Sequence, residues 1–167
     1  MFRIRFSVWI AVLLLVAVPW AAAPARAAMC APCTSASLSA EEQALWQQIV
    51  TARAAAGLTT LMIDASTTTL ARDRSADMAR HHLFGHTSSG GTTFLDLMPE
   101  YGLTWQLASE TIERNDYADP AREAARGLIA SPEHHAILFD SRYRIGGVGS
   151  AVGDDGFHYF TIIVIEP

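Results

Sequence analysis

Near the C-terminal end two β-rich runs, Tyr143 to Val152 and Phe157 to Ile165, are joined by Gly153-Asp154-Asp155-Gly156. Branched and aromatic residues on either side of a glycine–aspartate loop predict an antiparallel hairpin. Most of the domain before that hairpin carries helical spacing instead. Ser39-Ala40-Glu41-Glu42 has the form of a capping box, in which the serine oxygen takes one amide and the glutamate reaches back for another. Leu45, Ile49, Ala52 and Ala56 then recur a turn apart until Gly57 stops the helix. Trp46, beside that stripe, reads as packing. A second helix is predicted from Ser66 to Leu83, with Leu70, Ala71, Met78 and Ala79 inward and Arg72, Asp73, Arg74, Asp77 and Arg80 on a solvated face. A short helix from Thr93 to Tyr101 ends at Gly102, and Leu103 to Ile112 suits an extended segment. Asp119-Pro120 starts a helix that reaches Ala130, and Ser131-Pro132-Glu133 repeats the start signal at once. Helices first and a hairpin last make an α+β fold, not a doubly wound sheet.

The N-terminal end is read as an export signal, residues 1–27. Arg3 and Arg5 precede an apolar run from Val8 to Val18, and Ala25-Arg26-Ala27 has the small-x-small form of a cleavage site. The run falls short of the roughly 20 residues that span a bilayer, so no retained transmembrane span is expected. Cys30 follows Met29, a poor residue before a lipidated cysteine, so lipidation is not expected either. Residues 28–38 read as a flexible leader, and residues 39–167 as one domain large enough to bury its own core. Cys30 and Cys33 are the only cysteines. In an oxidising compartment they are expected to close a small disulfide loop. Thioredoxin-type chemistry would need a preceding strand and a helix behind the pair, and neither is signalled there. The net charge is −5 and every one of the twelve cations is arginine, so no basic stripe offers itself to nucleic acid.

Several site motifs are excluded. Gly147-Val148-Gly149 leads into another strand, not into a helix whose amides could hold a phosphate. No G-x-S-x-G elbow and no H-E-x-x-H helix occurs. The histidines carry more information. His86 follows Phe84-Gly85 where the second helix gives way to a loop, and His134 and His135 stand in the first turn of the helix capped by Ser131. Element ends are where a scaffold presents side chains to a cleft. The positive end of a helix dipole also disfavours imidazolium at His134 and favours the neutral form that binds metals. Glu110 lies in the extended segment between them. His81 and His82 read as helix surface or packing, and His158 receives no role. Nothing local brings the three residues together.

The segments that flank these residues resemble the CAP superfamily (cysteine-rich secretory protein, antigen 5, pathogenesis-related type) in its bacterial SCP-like extracellular form. Arg53-Ala54-Ala55-Ala56-Gly57-Leu58 with Leu61 and Asp64 is similar to the family's opening helix and turn. Asp77-Met78-Ala79 and Phe84-Gly85-His86-Thr87 resemble its D-M-A…F-S-H-T segment, Tyr101-Gly102 with Trp105 its G-Y-x-W stretch, and Glu110-Thr111-Ile112 its E-N-I. Ser131-Pro132-Glu133-His134 resembles S-P-G-H, Ile145-Gly146-Gly147-Val148-Gly149 the I-G-V-G strand with one glycine more, and Tyr159-Phe160-Thr161 the closing Y-W-T strand. The resemblance implies a three-layer α-β-α sandwich. It also implies that His86, Glu110 and His134 line one cleft, a ligand set suited to zinc or magnesium. The chain departs from the pattern at Leu97, Thr111, Leu128, His135 and Ile137. For the second acid of many eukaryotic members, Glu123 and Glu133 are the available positions.

Three functions accord with that resemblance. The first is a secreted binding module, periplasmic or extracellular, whose cleft holds a divalent metal, a lipid, a peptide or another envelope component. The second is a metal-dependent or carboxylate-assisted hydrolase. The third is a structural or partner-binding protein with a vestigial cleft.

Overall fold

The computed structural model describes residues 36–167. The expected export signal at residues 1–27, most of the expected leader at 28–38, and Cys30 and Cys33 lie outside the described residues. From Ser39 onward the chain forms α1 (Ala40–Ala55), β1 (Met62–Ile63), α2 (Ala65–His81), α3 (Phe94–Leu97) with a 3₁₀ turn at Met98–Tyr101, β2 (Leu107–Asn115), α4 (Pro120–Ala130), α5 (Pro132–Leu138), β3 (Ile145–Val152) and β4 (His158–Glu166).

The local signals act as their chemistry dictates. Ser39 Oγ accepts from Glu42 N at 3.1 Å, and Glu42 Oε2 accepts from Ser39 N at 2.8 Å, which closes the capping box of α1. Gly57 follows with φ of 74°, a conformation that glycine adopts without a Cβ clash. The second helix starts one residue earlier than its sequence pattern suggested. Asp64 is the cap, with Oδ2 accepting from Thr67 N at 2.8 Å. Asp119 and Ser131 cap α4 and α5 as expected.

The sheet has four strands in the order β1-β3-β4-β2. The hairpin of β3 and β4 is antiparallel with Val152 opposite His158, β2 pairs antiparallel with the other side of β4, and β1 adds a short parallel edge to β3. β1 has only two residues, too few to leave a period in the sequence. One face of the sheet presents Val148, Phe160, Ile162 and Val164 to Leu45, Trp46, Ile49, Ala124 and Leu128 of α1 and α4. The other face presents Ile145, Ile163 and Ile165 to Leu70 and Ala71 of α2, and Ile112 and Tyr159 to Met78 and Ala79. The architecture is therefore an α-β-α sandwich within an α+β fold.

The run Ile145-Gly146-Gly147-Val148-Gly149 explains how closely the layers meet. A Cβ on Gly147 or Gly149 would stand 2.4 or 2.3 Å from backbone atoms of α2, and one on Gly146 would stand 2.6 Å from the Trp46 ring. Glycine at these three positions lets α2 and Trp46 seat directly on β3. One sequence expectation fails here. Arg74, placed on the solvated face of α2, is 1% exposed. It lies four residues after Leu70 and four before Met78, on the buried stripe, and its charge is met by a carboxylate from β2.

Candidate functional site

β2 is an edge strand, and Glu110 projects from its middle toward α2. Its side chain has no exposed surface, which an ionised carboxylate tolerates only when its oxygens are engaged. Arg74 Nε donates to Oε1 at 2.8 Å, and Arg74 Nη2 lies 3.5 Å from Oε2. The same Nη2 donates to the Gly85 carbonyl at 2.9 Å, so one guanidinium ties β2 to the loop that carries His86. His86 Nδ1 then meets Glu110 Oε2 at 2.8 Å. An ionised carboxylate only accepts, so His86 Nδ1 is the donor, and Nε2 is the ring nitrogen left outside this bond. The His86 side chain is 56% exposed, which leaves that nitrogen open to a ligand. Arg114, farther along the same face of β2, lies 4.5 Å from the Phe157 ring centroid and 5.7 Å from that of Phe84. It thereby joins the Phe84-Gly85-His86 segment to the hairpin.

His134 arrives from the opposite layer, in the first turn of α5. Ser131 Oγ faces its amide at 3.5 Å. Its pKa is held below the ordinary imidazole value, by burial first and then by the charge of His86, against the opposing pull of Glu133. His134 Nδ1 is itself buried without a hydrogen-bond partner among the described residues.

Of the three residues singled out from the sequence, His86 and Glu110 are in contact, and no hydrogen bond among the described residues joins the His134 ring to either. The acids offered as a second carboxylate do not join them by any hydrogen bond. Glu123 pairs with Arg126 on α4, and Glu133 is exposed. A different acid, Glu113, is half-buried on the far face of β2 against Gly127, where burial raises its pKa. The polar hollow beside Arg74, about 310 Å³ and lined by Asp73, Asp77, Arg80 and Ser88, is separate from the trio.

The profile of the cysteine-rich secretory protein family, CAP, matches residues 46–164. This chain belongs to the CAP family. No curated protein matches it. Among solved structures it is similar to an outer surface protein of Borrelia burgdorferi, with a TM-score of 0.69 at 17% identity, over 80% of this chain and 97% of that one. It is also similar to an extracellular protein containing an SCP domain from Bacillus anthracis, with a TM-score of 0.65 at 23% identity, over 80% of this chain and 45% of that one. NaASP2, solved with Zn2+, shares the fold with a TM-score of 0.56 at 11% identity, over 79% of this chain and 83% of that one. These likenesses are of fold.

A zinc or magnesium ion held directly by His86, Glu110 and His134 does not fit the donors as placed. Both Glu110 oxygens are occupied by Arg74 and His86, and His86 spends Nδ1 on Glu110. Among the described residues no group of three or more His, Cys, Asp or Glu side chains is placed to hold a metal. What is assembled is one imidazole, His86, oriented by a buried carboxylate that Arg74 holds.

Sequence reasoning missed Arg74, and it missed a second buried arginine, Arg53, which is 0% exposed. The signal was available. Arg53 follows Ile49 by four residues, as Arg74 follows Leu70, so both cations occupy positions on a helix's apolar stripe. A charge at a core position announces a partner elsewhere in the fold, although it does not say which.

Proposed function

We propose that this CAP protein is an exported binding module, periplasmic or extracellular, whose cleft at His86, Glu110 and His134 receives a lipid, a peptide or another component of the cell envelope. The observation that carries the reading is the engagement of Glu110. A general base must be free to take a proton from its substrate, whereas this carboxylate is buried, ion-paired with Arg74 and committed to His86. The groups left to meet a ligand are the two imidazoles, His86 by its Nε2 and His134 in its neutral form. The export signal read at residues 1–27 and the outer-surface and extracellular relatives support the location. No helix among the described residues is long and apolar enough to cross a membrane.

A second reading, metal-assisted hydrolysis, is favoured by one feature. A histidine whose far nitrogen is held by a carboxylate is oriented as metal-binding histidines are, and NaASP2 was solved with Zn2+. In this chain zinc or magnesium would have two imidazoles and no third protein ligand among the described residues.

The test compares protein recovered from the exported fraction, wild type and the His86→Ala/His134→Ala double variant. Native mass spectrometry reads retained small molecules and metal, and chromogenic esters, amides and phosphodiesters read turnover. The binding reading expects a retained mass that the double variant loses, with no turnover by either. Wild-type turnover that the double variant loses establishes the second reading. A wild type that retains nothing and turns over nothing overturns both.

A further inference from the structure

Arg53 and Arg74 are among the largest fully buried side chains of the domain. Removing a guanidinium from water is tolerated only where its donors find acceptors. Arg74 finds a carboxylate, but Arg53 does not. Its Nη1 donates to the carbonyls of Leu138 and, at 3.2 Å, of Asp140, and its Nη2 donates to the Thr59 carbonyl at 3.1 Å. Leu138 is the last residue of α5, and the carbonyls of a helix's final turn lack intrahelical donors and carry the negative end of its dipole. At seven residues, α5 is too short to be stable by its own hydrogen bonds. Arg53 therefore fastens the far end of α5 to α1 and to the loop after it. His134 stands one turn before Leu138 on that same short helix.

We infer that Arg53 and Arg74 are a pair of positioning residues for the cleft, each gripping the segment that carries one of its two histidines. Arg53 acts through the carbonyls at the end of α5, and Arg74 acts through Glu110 and the Gly85 carbonyl. The two grips come from opposite faces of the sheet, so each histidine is set independently of the other. The fork of the guanidinium is needed in both places. It spans three carbonyls at Arg53, and a carboxylate with a carbonyl at Arg74, where a single ammonium would reach fewer acceptors. The role of the pair rests on the binding reading above, whereas its geometry does not.

The experiment needs no ligand, so its failure is distinct from a failure to find a bound molecule. Diethyl pyrocarbonate modifies neutral, accessible imidazoles, and peptide mass spectrometry resolves the rate at each of the six histidines. Wild type, Arg53→Met, Arg74→Met and the two lysine variants are compared well below their melting temperatures. Arg53→Met loosens α5 and raises the rate at His134 at least about three-fold, leaving His86 unchanged. Arg74→Met removes the ordered carboxylate that makes His86 Nε2 the better nucleophile and lowers that rate at least about three-fold, leaving His134 unchanged. Arg74→Lys, which keeps a charge for Glu110, restores much of the His86 rate, whereas Arg53→Lys restores little at His134. His81, His82 and His158, none of them on α5, serve as internal references. If a methionine variant does not fold, the glutamine variant, which retains a donor, is judged by the same selectivity. A change shared by all six histidines, or none at His86 and His134, overturns the inference and leaves both arginines as supports of the fold alone.

Discussion

Gly149→Ala tests how α2, and with it Arg74, is seated on the sheet. The added Cβ would stand 2.3 Å from the Ala71 carbonyl carbon and the Arg72 nitrogen, where ordinary contact begins at 3.4 Å, a shortfall of 1.1 Å. The obstacle is backbone, so no rotamer change relieves it. The helix is also pinned at this level, because Ser75 Oγ donates to the Gly149 carbonyl at 3.1 Å and meets Thr161 Oγ1 at 3.0 Å. Overpacking costs about 1–3 kcal/mol, and a clash with a buried helix backbone belongs at the upper end, about 3 kcal/mol. For a domain of this size that lowers the melting temperature by roughly 10 °C. The assay is a thermal melt followed by circular dichroism, with Gly90→Ala as the control. A Cβ at Gly90 has Ser88 Oγ as its nearest neighbour, at 3.7 Å. The control is expected to melt within about 2 °C of wild type, as surface substitutions do. If Gly149→Ala also melts there, α2 does not sit on β3 as described, and the burial of Arg74 loses its basis.

Three further outcomes are expected. Burial alone would raise the pKa of Glu42, but hydrogen bonds from Arg72 and the Ser39 amide, with the Arg72 charge, bring it below its ordinary value of 4.5. A lowered carboxylate pKa stabilises the fold above the unfolded value, and that stabilisation is lost as pH falls through the folded one. Denaturant melts between pH 5 and 3 are therefore expected to show an acid limb that Glu42→Gln makes shallower, since glutamine keeps the capping geometry. The depressed pKa of His134 has the opposite origin. The unfolded chain takes up that proton first, so acidification below the ordinary 6.5 subtracts stability. An NMR titration places its midpoint below that of a free imidazole, and Glu133→Gln, which removes the opposing charge, lowers it further. Ser39→Ala deletes the cap of α1 and costs about 1 kcal/mol in a denaturant melt. A change within error would mean that the two capping hydrogen bonds add nothing net to solvation of the free helix end.

Much of the fold was legible because its signals are local. The capping box at Ser39, the Asp119-Pro120 and Ser131-Pro132 starts, and the hairpin about Gly153 to Gly156 each act within a few residues. Each appears in the structure where the sequence placed it. β1 was not legible, since a strand of two residues is defined by its pairing with β3 alone. Within the site, His86 and His134 could be named from their places at element ends, and Glu110 with them from the resemblance to CAP proteins. Their division of labour could not be read. Whether a carboxylate is a free base or the counterion of a buried arginine depends on what faces it across α2, and Arg74 is 36 residues away along the chain.

The sequence by itself determined the order and type of the longer elements and the caps of the helices, because propensity and capping are properties of neighbouring residues. Only the tertiary structure decided that Arg53 and Arg74 lie inside and that Glu110 is engaged by Arg74 and His86. The free energy of a charge is set by the solvent it loses and the partner it gains, and both are arranged by segments distant in the chain.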